Sequence, residues 1–491
     1  MRTRTRWGRW GLLGLLASTL AACSGSSSTL TCSYNDPPAA GASFWPKFHH
    51  DAQNTGAVAN VQLTPTCRWV FPPGGGDSCT TALASPPKGA FVASPVISND
   101  GTRIYIGSTD GTLYALNTSD GTQLDSTDFS FSIAKPITST ALVALRTEGE
   151  VVFVGGEDGD LYDLTNAGVI QPPGWPNLIG GSISASPSLL GDGTVGVGSL
   201  NGTFIGACPN GVARYVLSTG NTQSSPAQGP DGTLYFGAED EQLHAVLYDG
   251  TVDWSFSAAG KVRAAPVFDT ATSSVYVADQ AGRVFKVIAG GRPDTSFAFP
   301  PVGFPPVGPI SSSPALAEDH LYFGSDDGNL YAIDKCTGAL AWSSPFPTGG
   351  AIVSSPAVAI ITSEALQPFT CSSSESPAVH QRIVVVGSND GNVYFVEDNG
   401  TGTEPVEFAP PFSIATAFVC GHCTSGPSAG ALCQQTSDCP ESTCDTSSCV
   451  VQSSPAIGSD GTVYIGASDV LANTGRVYAI GEPLPSPTPS S

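Results

Sequence analysis

An all-β fold, an eight-bladed β-propeller of four-stranded antiparallel blades closed by an N-terminal strand, is what the chain predicts. Three observations lead there: a motif that recurs eight times, tight-turn signals inside each copy, and a last copy that lacks one strand while a spare strand precedes the first. The motif is plain in SSPALAEDHLYFGSDDGNLYAI, which starts at Ser312. It returns as ASPVISNDGTRIYIGSTDGTLYAL from Ala93, STALVALRTEGEVVFVGGEDGDLYDL from Ser139, SASPSLLGDGTVGVGSLNGTFIGA from Ser184 and SSPAQGPDGTLYFGAEDEQLHAV from Ser224. The remaining copies are AAPVFDTATSSVYVADQAGRVFKV from Ala264, SSPAVAI from Ser354 with RIVVVGSNDGNVYFV from Arg382, and SSPAIGSDGTVYIGASDVLANTGRVYAI from Ser453. Their strand-end glycines, Gly107, Gly155, Gly198, Gly237, Gly324, Gly387 and Gly466, with Ala278 in the fifth copy, give a period of about forty residues that lengthens late in the chain. That is the length of a four-stranded blade.

Each element follows in order. Ser-Ser-Pro-Ala opens a short buried strand, a first Asp-Gly makes a tight turn, and an alternating run such as Thr-Val-Tyr-Ile-Gly forms the second strand. A second Asp-Gly turn leads to Leu-Tyr-Ala-Ile, the third strand. In the best copies another turn and a tryptophan on a fourth strand follow, Lys335 to Gly338 with Trp342 and Asp249-Gly250 with Trp254. No sustained helical period occurs between residues 44 and 482. The eighth copy ends at RVYAIGEPLPSPTPSS without a fourth strand, whereas CRWVFPPGG, from Cys67, stands alone before the first. Pairing the two closes the ring and removes an open sheet edge.

The first residues, MRTRTRWGRWGLLGLLASTLAAC, carry Arg2, Arg4, Arg6 and Arg9 before an apolar run too short to span a bilayer, the pattern of a secretory signal. Leu20-Ala21-Ala22-Cys23 matches the bacterial lipobox, which makes Cys23 the expected lipidation site, and Ser24 after it points to the outer membrane. The expected organisation is a lipoprotein signal peptide at 1–22, a Ser-rich linker at 23–43, the propeller at 44–482 with a Cys-rich insertion at 410–450, and a Pro/Ser-rich tail at 483–491. The net charge of −23 argues against nucleic acid as a partner and against attachment to anionic head groups through a basic face.

Of 13 cysteines, twelve remain beside Cys23, an even number in a chain expected to be exported. Cys32, Cys67, Cys79, Cys208, Cys336 and Cys371 are scattered; Cys420, Cys423, Cys433, Cys439, Cys444 and Cys449 crowd together. All twelve are disulfide candidates, with pairing open. Phe418-Val419-Cys420-Gly421-His422-Cys423 resembles the Cys-Gly-His-Cys site of disulfide isomerases, but the TSGPSAG that follows is a poor helix former. The insertion looks more like a small disulfide-knotted piece, similar to Cys-rich segments in secreted proteins of soil bacteria; zinc is the third reading.

The pattern SSPAhxxDGThYhGSxDGxLYAhDxxTGxxxW resembles the pyrroloquinoline-quinone-like (PQQ-like) propeller repeat, and WPKFHHDAQNTG, from Trp45, looks like the segment that often precedes such propellers. The resemblance implies one of two classes. Quinoprotein dehydrogenases hold PQQ with calcium, commonly beside a disulfide of adjacent cysteines. No two cysteines here are adjacent, and Cys423 is followed by Thr424, not the His of a haem attachment motif. The other class is non-catalytic and includes the lipid-anchored propeller subunit of the outer-membrane β-barrel assembly machinery. It shares the lipobox and the eight blades, and implies a scaffold that binds another envelope protein or surface component, with no cofactor and with the insertion as a candidate surface.

Two clusters of acidic or imidazole groups compete with this reading. Asp326 and Asp327 are candidate calcium ligands. Yet Asp110-Gly111, Asp158-Gly159 and Asp390-Gly391 occupy the same place, with Asn201-Gly202 and Ala281-Gly282 as substitutes, and a turn accepts such swaps where a metal site would not. His49, His50 and Asp51 form a possible metal trio, but adjacent histidines on an extended segment point apart, which favours packing and hydrogen bonding. Tyr105, Tyr114, Tyr235, Tyr322, Tyr331, Tyr394, Tyr464 and Tyr478 recur at fixed positions and read as packing between blades.

Overall fold

The computed structural model describes residues 39–40, 45–72, 88–147, 149–171, 174–305, 307–362, 369–371, 380–413, 421–425, 432–433 and 443–481. The signal at 1–22, Cys23, Cys32, Cys79, Cys420, Cys439 and the tail at 483–491 lie outside them. Among the described residues there is no helix, and eight four-stranded antiparallel blades form a propeller. In chain order the blades occupy 96–132, 142–178, 188–218, 227–257, 267–293, 315–347, 357–407 and 456–480.

Blade 6 shows how the motif makes a blade. Pro314 lacks an N–H and so fits just before the inner strand Ala315–Ala317. The strands His320–Gly324 and Asn329–Asp334 pair with Tyr322 opposite Ala332 and Phe323 opposite Tyr331, and Phe346–Pro347 is the outer strand. Gly328 in the turn between them has φ +83°, where a side chain would strain the backbone. Gly324 is required for a different reason: a Cβ there would lie 2.0 Å from Ile352 on the approach to blade 7. The same crowding meets Gly107 against Ile137, Gly155 against Ile183 and Gly387 against Val451, so the strand-end glycine lets neighbouring blades touch.

The core is a series of layers between adjacent blades. Phe131 of blade 1 packs on Tyr162 of blade 2, Phe299 on Tyr331 between blades 5 and 6, and Phe346 on Tyr394 between blades 6 and 7, with ring centroids 4.9, 5.8 and 5.7 Å apart. The recurrent tyrosines are therefore inter-blade contacts, and four also serve the turns: the hydroxyls of Tyr114, Tyr162, Tyr331 and Tyr394 donate to Asp110, Asp158, Asp327 and Asp390.

The ring closes as its termini suggest. Cys67–Phe71 runs antiparallel to Thr474–Ile480 as the fourth strand of blade 8, with Val70 opposite Tyr478. Trp69 then reaches into blade 1, where its Nε1 donates to the carbonyl of Thr118 at 2.9 Å.

The segment before that strand was legible only as a leader, and its path is unusual. The carbonyls of Trp45, Pro46, Ala52, Gln53, Thr55 and Gly56 accept from the N–H groups of Ile97, Val143, Gln228, Phe268, Leu316 and Val358. These six donors occupy one repeat position, the second residue of the inner strands of blades 1, 2, 4, 5, 6 and 7. Ala57–Ala59 then runs parallel to the inner strand Ala357–Ile361 of blade 7. One short segment thus pins the inner edges of six blades before clasping the eighth, and caps strand edges that would otherwise be open.

Two expectations change. The leader is not extended at the histidines: His49 and His50 have φ of 59° and 77°, a left-handed turn that aims their rings apart by backbone geometry. Trp342 does not lie on an outer strand; it precedes Phe346–Pro347 and is buried against blade 7. Within the insertion, Gly421–Cys423, Leu432–Cys433 and Cys444–Asp445 form a small antiparallel sheet, and Cys449–Val450 pairs with Val463–Asp469 of blade 8.

Candidate functional site

The Ser-Ser of the motif builds the wall of the axial funnel. The first serine ties its own blade: Ser224, Ser312, Ser354 and Ser453 accept from the N–H of the strand-end Gly237, Gly324, Gly387 and Gly466 at 3.0 to 3.2 Å. The second ties blade to blade. The N–H of Ser94 donates to Thr140, Thr140 to Ser186, and Ser186 to Ser225, at 3.0, 3.2 and 3.0 Å. Ala265 donates to Ser313, Ser313 to Ser355, Ser355 to Ser454 and Ser454 back to Ser94, at 2.8, 2.9, 2.9 and 2.9 Å. The circuit is interrupted once, between Ser225 and Ala265, which has no hydroxyl.

This hydroxyl ring lines a cavity of about 350 Å³, together with Phe48 of the leader and Gln223, Arg263 and Gln452. Arg263 is already engaged, its Nη2 2.7 Å from Glu239, which Lys261 also meets at 2.9 Å. Those two cations, Lys261 first, hold the Glu239 carboxyl below its ordinary range. PQQ with calcium would need carboxylate or amide oxygens around the ion and unspent cations for the quinone carboxylates. Among the described residues lining this cavity there is no Asp or Glu, Gln223 and Gln452 alone offer side-chain amide oxygens, and the Arg263 guanidinium is neutralised, so the donor set fits that cofactor poorly.

The acidic turns are occupied by their own blades. Asp327 Oδ1 accepts from the Asn329 backbone at 3.0 Å and Oδ2 from the Tyr331 hydroxyl at 2.8 Å and the Gly308 N–H at 3.2 Å. Asp326 beside it is raised by burial and by the Asp327 charge. The leader's trio also separates: His49 is buried with its ring nitrogens 2.9 and 3.0 Å from the carbonyls of Asn54 and Pro356, whereas His50 packs on Trp45. Burial pushes His49 down to about 4, against the pull of those two carbonyls. Asp51 accepts from Thr55 and sits 3.5 Å from His50. No group of three or more His, Cys, Asp or Glu suited to a metal occurs among the described residues.

One polar cluster escaped the reading of the motif. Between blades 6 and 7, Arg382 lies 2.9 Å from Glu318, 2.7 Å from Asp319 and 3.2 Å from Asp398. Asp398 also faces His320 Nδ1 at 2.8 Å, receives Trp342 Nε1 at 3.0 Å and accepts from the Tyr322 hydroxyl. Burial alone would raise Asp398, but His320 and Tyr322 hold it far below the ordinary range. The signal was available: Glu318-Asp319-His320 stands where other copies carry Asp-Gly. Buried and fully paired, the cluster latches two blades together and offers no open face for chemistry.

Cys336 and Cys371 form a disulfide. Cys67, Cys208, Cys444 and Cys449 are also disulfide-bonded. Cys423 and Cys433 lie in the strands of the small sheet.

The outer rim carries apolar surface. Val169, Val212 and Val252 follow equivalent turns of blades 2, 3 and 4 and are 60%, 57% and 48% exposed, joined by Leu178, Val216 and Tyr248. The three blades touch here: Asn177 Nδ2 donates to the Gly211 carbonyl at 2.6 Å, and Arg214 lies 5.2 Å from the Tyr248 ring centroid. A hollow of about 680 Å³ beside blade 5, lined by Phe285, Phe297, Phe299 and Phe304, adds a second apolar feature.

Residues 297–403, covering blade 6 and most of blade 7, match the family model described as "Outer membrane protein assembly factor BamB". No curated protein matches the chain. Among solved structures, the computationally designed Ika8 protein superposes with a TM-score of 0.51 at 15% identity, over 80% of this chain and 97% of its own. BamB from Moraxella catarrhalis gives 0.48 at 16% identity, over 79% and 93%. The stretch 297–403 resembles the BamB family, and the Ika8 likeness is one of fold.

Proposed function

We propose that this PQQ-like propeller is a non-catalytic scaffold of the cell envelope that binds another protein through the outer rim of blades 2 to 4. The reading places it at the outer membrane, held by a lipid on Cys23, in a role akin to outer-membrane assembly. The observation that carries it is the run of exposed apolar side chains at equivalent turns of three touching blades, Val169, Val212 and Val252 with Leu178, Val216 and Tyr248. Scattered apolar residues are normal on a surface, but their concentration at neighbouring turns of touching blades fits an interaction site. The match of residues 297–403 to the BamB family supports the scaffold class, and the donor set of the funnel disfavours the quinoprotein oxidoreductase.

The test is cross-linking of the intact protein in its native envelope, comparing wild type with a Leu178→Asp, Val216→Asp, Tyr248→Ala variant. A specific cross-linked partner should disappear in the variant while the melting temperature holds. Retention of every cross-link would refute this surface, and quinone-dependent dye reduction by the purified protein would refute the scaffold reading.

A further inference from the structure

Cys336 is the feature of its repeat that the binding reading leaves unused. It lies in the turn that ends the strand Asn329–Asp334, where Asp334 Oδ1 accepts from the N–H groups of Cys336 and Thr337 at 3.1 and 2.8 Å. The turn is anchored on blade 5: the Tyr276 hydroxyl donates to the Lys335 carbonyl at 2.8 Å, and Lys335 Nζ lies 3.0 Å from Asp269. Its disulfide partner, Cys371, belongs to the connection between the blade 7 strands Ala357–Ile361 and Gln381–Gly387, and is exposed.

A cation stands at the far end of this bond. Lys286 Nζ, on a side chain only 5% exposed, stands 3.6 Å from Cys371 Sγ and 3.1 Å from Asp294. Lys335 Nζ lies 5.5 Å from the ring centroid of Phe369, two residues before Cys371. A disulfide sulfur is a weak acceptor, so the oxidised state satisfies Lys286 poorly on that side. A thiolate at the same place is a strong acceptor for an ammonium already held in position. The surroundings therefore favour the opened bond more than the closed one, which is what makes a disulfide exchangeable.

We propose that Cys336–Cys371 is a thiol–disulfide exchange site for external dithiols, polarised so that Cys371 leaves. A thiolate of the dithiol attacks Cys336 Sγ; a sulfur–sulfur bond forms to Cys336 and the bond to Cys371 breaks, its electron pair remaining on Cys371 as a thiolate beside Lys286. The second thiol of the dithiol, once deprotonated, attacks its own bonded sulfur and expels Cys336. The dithiol is oxidised to a disulfide, the Cys336–Cys371 pair is reduced by two electrons, and the two protons released by the dithiol balance the two new thiolates. Opening the bond unties the blade 7 connection from blade 6.

Glutathione is the probe: a monothiol carries no second thiol to expel Cys336, so the mixed disulfide persists until another glutathione attacks it and can be trapped early in the reaction. The full-length protein is exposed to it at pH 7, quenched with iodoacetamide and mapped by mass spectrometry. The Cys336–Cys371 pair should open before the other cystines, with glutathione on Cys336 and the alkyl group on Cys371. Lys286→Met should slow opening about 3- to 10-fold, as expected for loss of a cation beside a leaving thiolate, while Lys286→Arg should keep the rate. Glutathione chiefly on Cys371, opening no earlier than the other cystines, or an unchanged rate in Lys286→Met would overturn the proposal. If Lys286→Met does not fold, the adduct position in wild type and the rate of Lys286→Arg decide it.

Discussion

The gap in the hydroxyl ring offers a paired test of what the second serine of the motif does. At Ser355 the hydroxyl accepts the Ser313 N–H at 2.9 Å, and the residue is 3% exposed. Ser355→Ala removes that acceptor and leaves a buried donor, which costs about 1–3 kcal/mol where water does not replace the lost partner. Ser355 lines the funnel and not a sealed core, so the expected loss lies at the low end, about 1 kcal/mol. Ala265, 2% exposed and on the funnel wall, is the converse case. Ala265→Ser places a hydroxyl where every other blade has one, within reach of the Ser225 N–H, and a neutral hydrogen bond contributes about 0.5–1.5 kcal/mol. The two substitutions must have opposite signs, one destabilising and one stabilising. Urea unfolding followed by tryptophan fluorescence reads both as midpoint shifts at constant slope. If the two midpoints move the same way, or neither moves, the ring is a geometric consequence of blade packing and contributes nothing to stability.

Three further outcomes are expected. Trp69→Ala, which empties the clasp between blades 8 and 1, should cost about 3–5 kcal/mol from lost burial and the cavity left behind, read by urea midpoint; a shift below about 1 kcal/mol would mean that the fourth strand of blade 8 does not hold the ring. Arg382→Met strands Asp398, Asp319 and Glu318 without their cation and should cost about 3–5 kcal/mol, well above an exposed control such as Leu178→Ala. Asp51 is raised by burial but held at about 2 by His50 and Thr55, below its ordinary 3.8. A carboxyl depressed on folding stabilises the protein above its unfolded pKa and loses that contribution as pH falls through the folded one. With 32% of its side chain exposed, the contribution is about 1 kcal/mol; Asp51→Asn should therefore be less stable than wild type at pH 6, with the difference closing between about pH 4 and pH 2.

What was legible in the sequence was what repetition makes visible. Gly324, Asp327 and Tyr331 each occupy a place where the other blades carry an equivalent residue, and the copies together point to the turn found at Asp327-Gly328. The missing fourth strand was legible because Cys67–Phe71 had no other use. The leader's route was not, because Trp45 to Gly56 joins the ring through its backbone carbonyls, and carbonyls carry no residue signature. The latch around Arg382 was hidden for a related reason: its members, Asp319, His320, Arg382 and Asp398, come from two blades far apart in sequence.

These unrepeated features answer a problem that repetition creates. Eight similar blades present nearly interchangeable faces, so contacts between blades 3 and 5 or 6 and 8 would satisfy most of the same apolar positions, and kinetic misassembly is a hazard of repeat architectures. Order needs interfaces that differ. The N-terminal strand fits only the blade that lacks its own fourth strand. The leader offers six carbonyls in one sequence to six particular inner strands, which ranks blades 1, 2, 4, 5, 6 and 7 by their distance along a single segment. The Arg382 cluster leaves the two blade 6 carboxylates, Glu318 and Asp319, without their arginine if blade 7 meets any neighbour other than blade 6, a far larger penalty than a mismatched methyl group. The late, long connections of blade 7 are where local sequence proximity guides assembly least, and it is there that the charged latch and the Cys336–Cys371 bond tie the chain across to blade 6.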